Sequence, residues 1–119
     1  MESNAGSTLL PIIKIINNTK KEITNIVLSY EGLDDSSIKI NTLNSNSEII
    51  TTISTAFVKD NVNLILSYDH ENIHEEKIVY HNFIADSLIK LTLEINDVNG
   101  EHNIVTIIEK DPVDNFNSI

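Results

Sequence analysis

Residues 88 to 110 read LIKLTLEINDVNGEHNIVTIIEK. Ile89, Leu91, Leu93 and Ile95 alternate with Lys90, Thr92, Glu94 and Asn96. This is period two, the signature of a strand with one buried face. Asn99-Gly100 follows, a pair suited to a type I′ turn, whose two central residues both need positive φ. A turn centred there pairs Ile95 with Ile104, Leu93 with Thr106 and Leu91 with Ile108. It also sets Lys90 opposite Glu109, an opposite-charge cross-strand pair on the outer face. Three features agree on one register, so the stretch is a β-hairpin.

The same cadence continues towards the N-terminus. Short apolar runs alternate with Asn-, Asp-, Ser- and Gly-rich breaks every 8 to 14 residues or so, and no segment sustains a helical period. Further strands are predicted at Ile12 to Ile16, Glu22 to Tyr30, Ile38 to Leu43, Ile49 to Thr55, Val62 to Tyr68 and Lys77 to Phe83. With the hairpin strands at Leu88 to Asn96 and Asn103 to Lys110, there are eight. Ile26, Leu28 and Tyr30 share one face, as do Val62, Leu64, Leu66 and Tyr68. Ile15, Ile26 and Ile40 are expected to face the hairpin. Short helical turns would fit only at 56–61 and 84–87. The architecture expected is a single antiparallel β-sandwich of seven or eight strands, immunoglobulin-like, over residues 9–110. Residues 1–8 read as a flexible leader and 111–119 as a loose tail. Ile12 to Ile16 is a candidate exposed edge that could pair between chains.

Composition narrows the function classes. The chain has 119 residues, one domain's worth, with 40% hydrophobic residues but only 5% aromatic. Isoleucine dominates, and its branched Cβ favours strands. The net charge is −10, from 18 acidic and 8 basic residues. Such a surface repels phosphate backbones and anionic membranes, so neither nucleic acid nor membrane is an expected partner. With no cysteine, thiol catalysis and disulfides are excluded. Three glycines cannot build a phosphate-cradling loop. The start lacks a basic signal-peptide region, and a cytoplasmic location is expected if the chain is complete, a secreted one if it was trimmed.

Residues 67 to 77, SYDHENIHEEK, contain His70-Glu71-Asn72-Ile73-His74, an H-E-x-x-H pattern. In zinc proteases that pattern lies on a helix, which projects both histidines from one face. A helix over 69–80 would have to absorb Ile78 and Val79, and only Ile73 supplies an apolar face. A hairpin turning near Glu71-Asn72 is simpler, because asparagine tolerates the left-handed conformation. His70 and His74 then sit on neighbouring strands near the tip, and Glu75 and Glu76 make the return strand acidic and solvated. His70 and His74, joined by His81 if it shares their side, are the candidate metal ligands. No catalytic residue and no cofactor is assigned.

Asp34-Asp35 with Ser36 and Ser37 reads as an acidic turn without EF-hand spacing. Asp97, Asn99 and Glu101 surround the Asn-Gly turn and could make a weak cation site, but turn chemistry already explains the Asp and the Asn. The functional expectation is a non-enzymatic protein-binding module, of inhibitor or immunity type, whose acidic surface meets a basic protein. Its candidate contact residues are Asp34, Asp35, Glu71, Glu75 and Glu76. Two alternatives are kept. One is a carbohydrate-binding or structural β-module of a larger surface or phage assembly, which an exposed aromatic platform or a stable oligomer would favour. The other is a zinc hydrolase using His70, Glu71 and His74, which requires the helix.

Overall fold

A computed structural model of the protein describes residues 10–34, 37–85 and 89–110. The expected leader and tail lie outside these residues. Eight strands form in chain order: β1 (Ile12–Asn17), β2 (Ile23–Ser29), β3 (Ile38–Leu43), β4 (Ser47–Thr52), β5 (Val62–His70), β6 (Ile73–Phe83), β7 (Ile89–Val98) and β8 (Glu101–Lys110). Among the described residues there is no α-helix, and no helix long and apolar enough to cross a membrane. The segment 56–61 carries only a turn and a bend.

The strands make two four-stranded sheets with orders β4-β1-β7-β8 and β3-β2-β5-β6. They pack as an all-β sandwich. Its core is aliphatic: Ile13, Ile15, Ile23, Ile26, Leu28, Leu64, Leu66, Leu91, Leu93 and Ile95 are fully buried, with Tyr68 and Phe83 among them. The β7–β8 register is the predicted one, with Ile95 opposite Ile104, Leu93 opposite Thr106, Leu91 opposite Ile108 and Lys90 opposite Glu109. Ile15 and Ile26 join the core, while Ile40 is partly buried at its margin.

Three features depart from the sequence expectation. First, β1 pairs with β7 in parallel, so one sheet is mixed. Second, β1 is flanked by β4 and β7, which leaves it no free edge for pairing between chains. Third, β1 and β2 lie in opposite sheets, whereas constant-type immunoglobulin domains keep their first two strands in one.

The abundant asparagines have a geometric role. Asn25, Asn46, Asn72, Asn82 and Asn99 all have left-handed backbones, with φ between 50 and 67°. Asn25 sits where the β2–β5 register slips between Thr24 and Val27. That bulge explains why Ile23 and Ile26, three apart, both point inward.

Following the strand directions, the connections 18–22, 44–46, 71–72 and 99–100 gather at one pole of the sandwich. Asn17 anchors this pole from within. Its fully buried amide donates to the carbonyls of Lys21, Leu43 and Asn44 at 2.9, 3.0 and 3.2 Å. Its oxygen accepts from the Thr19 amide at 2.9 Å and the Thr19 hydroxyl at 2.6 Å. On the other flank the edge strands β6 and β8 meet. There the Thr106 hydroxyl donates to the Val79 carbonyl at 2.7 Å, and Lys77 Nζ donates to the His102 carbonyl at 2.9 Å.

Candidate functional site

The H-E-x-x-H stretch is a hairpin. Residues 69–80, where the hydrolase reading required a helix, are strand apart from the two-residue turn. Glu71 and Asn72 occupy the turn with φ of 48° and 67°, a type I′ geometry, and His70 pairs with Ile73. Residues directly opposite on antiparallel strands point to the same face. His70 therefore points with Ile73 and His74 with Asp69, on opposite faces of the sheet. His70 is 8% exposed, whereas the His74 side chain is 59% exposed. The two histidines cannot share an ion, and the zinc-protease arrangement is absent.

His70 instead meets residues the sequence motif does not contain. Glu75 lies on β6 opposite Tyr68, so its side chain also turns inward. Its carboxylate sits 2.9 Å from His70 Nε2. It is thus not the solvated carboxylate expected of the return strand, although its neighbour Glu76 is. From the facing sheet comes His102 of β8. Its ring stacks on that of His70 with centroids 3.7 Å apart and planes 13° from parallel. The buried Tyr68 hydroxyl lies 2.8 Å from His102 Nδ1. Inward charges on an edge strand also discourage edge-to-edge pairing, and Glu75 and Lys77 occupy such positions on β6.

The electrostatics follow from this enclosure. Burial holds the His102 pKa below its ordinary value, reinforced by the neighbouring His70 and Lys77 and opposed by Glu75 and Asp97. The hydrogen bond from His70 lowers the Glu75 pKa against the effect of burial. Burial, helped by the Glu75 charge, pushes the Tyr68 hydroxyl well above the usual phenol range, so it stays protonated. On the outer face, hydrogen bonds from Asn25 and His74 lower the Asp69 pKa. At the tip, Lys21 pairs with Glu71 and lowers its pKa.

Two cavities open beside the cluster. One of about 140 Å³ is bordered by Thr19, Lys21, Glu22, Asp97, His70 and His102. A shallower one of about 530 Å³ runs along Lys21, Asn25, Asp69, Glu71 and His74. Glu71, Glu75 and Glu76 thus share the hairpin pole, though Glu75 faces inward. Asp34 lies at the opposite pole, between β2 and β3, and Asp35 lies outside the described residues. His81 is exposed near the far end of β6 and does not approach His70. Asp97 accepts from the Gly100 amide at 2.9 Å, consistent with turn chemistry.

Sequence reasoning missed His102, yet a signal was available. It shares parity with Ile104, Thr106 and Ile108 on β8, just as His70 shares parity with Leu64, Leu66 and Tyr68 on β5. Both histidines fall on the inward positions of their strands.

No protein family and no curated protein matches the sequence. Among solved structures, an NMR structure of a protein from Eubacterium rectale is similar, with a TM-score of 0.55 and 16% sequence identity. The match covers 94% of this chain and 99% of that one. At this identity the likeness establishes the shared sandwich alone.

Proposed function

We propose that the protein is a non-enzymatic binding module that presents its hairpin pole to a basic protein partner, as an inhibitor or immunity-type protein does. The observation that supports this reading is the concentration of carboxylates on one set of loops. Glu22, Asp69, Glu71, Glu76, Asp97 and Glu101 project around that pole, against Lys20 and Lys21. Lys21 is itself engaged by Glu71. Loops held at one end of a rigid sandwich are suited to recognition, and a concentrated charge of one sign steers a complementary partner. The scarcity of exposed aromatics favours a protein over a sugar. Tyr30, Tyr68 and Phe83 are buried, and Phe57 is the exposed aromatic among the described residues.

The test is a pull-down from the organism of origin with the immobilised chain and two charge variants. One neutralises the hairpin pole (Glu22→Gln, Glu71→Gln, Glu76→Gln, Glu101→Gln). The other neutralises the opposite end (Asp34→Asn, Asp60→Asn). The partner is expected to be basic and to bind at low salt. It should be released as the Debye length shortens from about 10 Å at 0.1 M to about 3 Å at 1 M. The first variant should lose it and the second should keep it. Retention indifferent to salt and to the pole substitutions would overturn the proposal.

A further inference from the structure

We propose that His70, Glu75 and His102 form a binding site for a divalent transition ion of the zinc class, placed where the two sheets meet at the hairpin pole. Each residue offers one ligand atom, and the three atoms lie within 4.8 Å of one another. The donors come from three strands: β5 and β6 in one sheet and β8 in the other. An ion held there would join the sheets along their β6–β8 flank.

The donor chemistry fits. Two imidazoles and one carboxylate are a common zinc set, leaving a fourth position for water or another ligand. Metal–donor distances of roughly 2.0–2.2 Å place tetrahedral donors about 3.3–3.6 Å apart. The 4.8 Å bound leaves the widest pair at most about 1 Å too far apart, while His70 and Glu75, at 2.9 Å, must open slightly; both adjustments are within reach of side-chain rotation on fixed strands. The histidine stack must also open. An imidazole lone pair lies in the ring plane, so two parallel rings 3.7 Å apart cannot both aim at one ion. One ring has to turn out of the stack.

The surroundings suit a ligand set. Metal-bound histidines characteristically donate their second ring N–H to a neighbour that fixes the tautomer. The Tyr68 hydroxyl is placed to accept from His102 Nδ1, which leaves Nε2 with the free lone pair. His70 and Glu75 are largely enclosed, at 8% and 22% side-chain exposure, so a bound ion would compensate a partly desolvated carboxylate. The cavity of about 140 Å³ that borders both histidines provides a path for the ion and room for a water ligand.

The experiment uses the full chain, freed of metal with chelator. Zinc chloride is titrated by calorimetry and cobalt chloride by visible absorption. One equivalent should bind saturably, produce the intense visible bands of tetrahedral cobalt, and raise the thermal midpoint. Glu75→Gln and His102→Gln should weaken binding at least tenfold, whereas His74→Ala should leave it unchanged. In the wild-type chain, two-bond proton–nitrogen spectra should show zinc shifting ring nitrogens of His70 and His102 and sparing those of His81. That measurement holds even if a variant fails to fold. Absence of saturable binding would overturn the site and leave the cluster as a structural pair. Loss of binding in His74→Ala with retention in His102→Gln would overturn it equally, by moving the ion to the exposed hairpin face.

Discussion

Replacing Asn17 by alanine should be among the most destabilising changes of a polar residue in this protein. The side chain is fully buried and meets five hydrogen-bonding partners: three carbonyls share its two amide hydrogens, and its oxygen accepts from two donors. They join β1 in one sheet to the end of β3 in the other and to the 18–22 loop. A typical bond contributes about 1 kcal/mol net, and a buried group left without a partner costs about 1–3 kcal/mol. Not all five are lost outright. The single Thr19 hydroxyl proton has the Lys21 carbonyl at 2.8 Å as a second acceptor and turns to it when the Asn17 oxygen is removed. The Leu43 carbonyl and the Thr19 amide lose their partners in a region closed to water. A loss of about 3 kcal/mol follows, a large share of the roughly 5–15 kcal/mol that holds a domain together. Asn17→Asp is a sharper probe of the same contacts. It keeps the acceptor for Thr19 but turns a second oxygen towards three carbonyls, so it should destabilise at least as much at neutral pH. Its deficit should shrink in acid, where the carboxyl regains a proton. The assay is urea unfolding followed by far-UV circular dichroism. For a chain of this size the alanine variant should lower the midpoint by more than about 1 M with little change in slope. A loss below about 1 kcal/mol, or an aspartate variant as stable as wild type, would refute the reasoning.

Other outcomes follow from the same structure. Leu91→Ala, at a fully buried position facing the opposite sheet, should cost about 2–5 kcal/mol in the same urea assay. Gly100→Ala should cost about 1 kcal/mol from backbone strain alone, because φ is +88° and an added Cβ meets nothing within 4 Å. Its thermal midpoint should fall without loss of the hairpin. In chelator, stability should decline as pH drops from 7 towards 4. Burial, with His70 and Lys77, keeps the folded His102 pKa below that of the unfolded chain, against Glu75 and Asp97. The unfolded state therefore takes up the proton first, and this contribution, present above about pH 6.5, is lost below it. The lowered carboxylates Asp69, Glu71 and Glu75 act with the same sign at lower pH, since their stabilisation is present above about pH 4 and is lost as they protonate. His102→Gln should flatten the upper part of the profile, and a wild-type midpoint higher at pH 5.5 than at 7.5 would contradict this account.

Much of the fold was legible because β-structure announces itself locally. Alternation in 88–96 and the Asn99-Gly100 turn specify a hairpin and its register without reference to the rest of the chain. Glu71-Asn72 reads the same way, since asparagine tolerates left-handed backbone, and that reading correctly replaced a helical zinc motif with a turn. Side-chain parity along β5 and β8 also puts His70 and His102 on inward positions, a signal that went unread in the sequence. What one strand's parity cannot carry is its choice of neighbours. Nothing in Ile12 to Asn17 states that this strand lies between β4 and β7, parallel to the latter. Nor does a polar Asn17 at a strand end look different from a turn residue until the carbonyls of Lys21, Leu43 and Asn44 close around it. The histidine cluster belongs to the same class. His70 and Glu75 are near in sequence, but His102 reaches them only because β6 and β8, edge strands of different sheets, meet along one flank. The sequence by itself determined the approximate strands, the two tight hairpins and the buried side of the plainly alternating β5 and β7, since these depend on periods of two residues and on local φ preferences. Tertiary structure alone decided which inward polar groups face each other, because that depends on how two sheets stack, and the apolar contacts that drive the stacking are not directional.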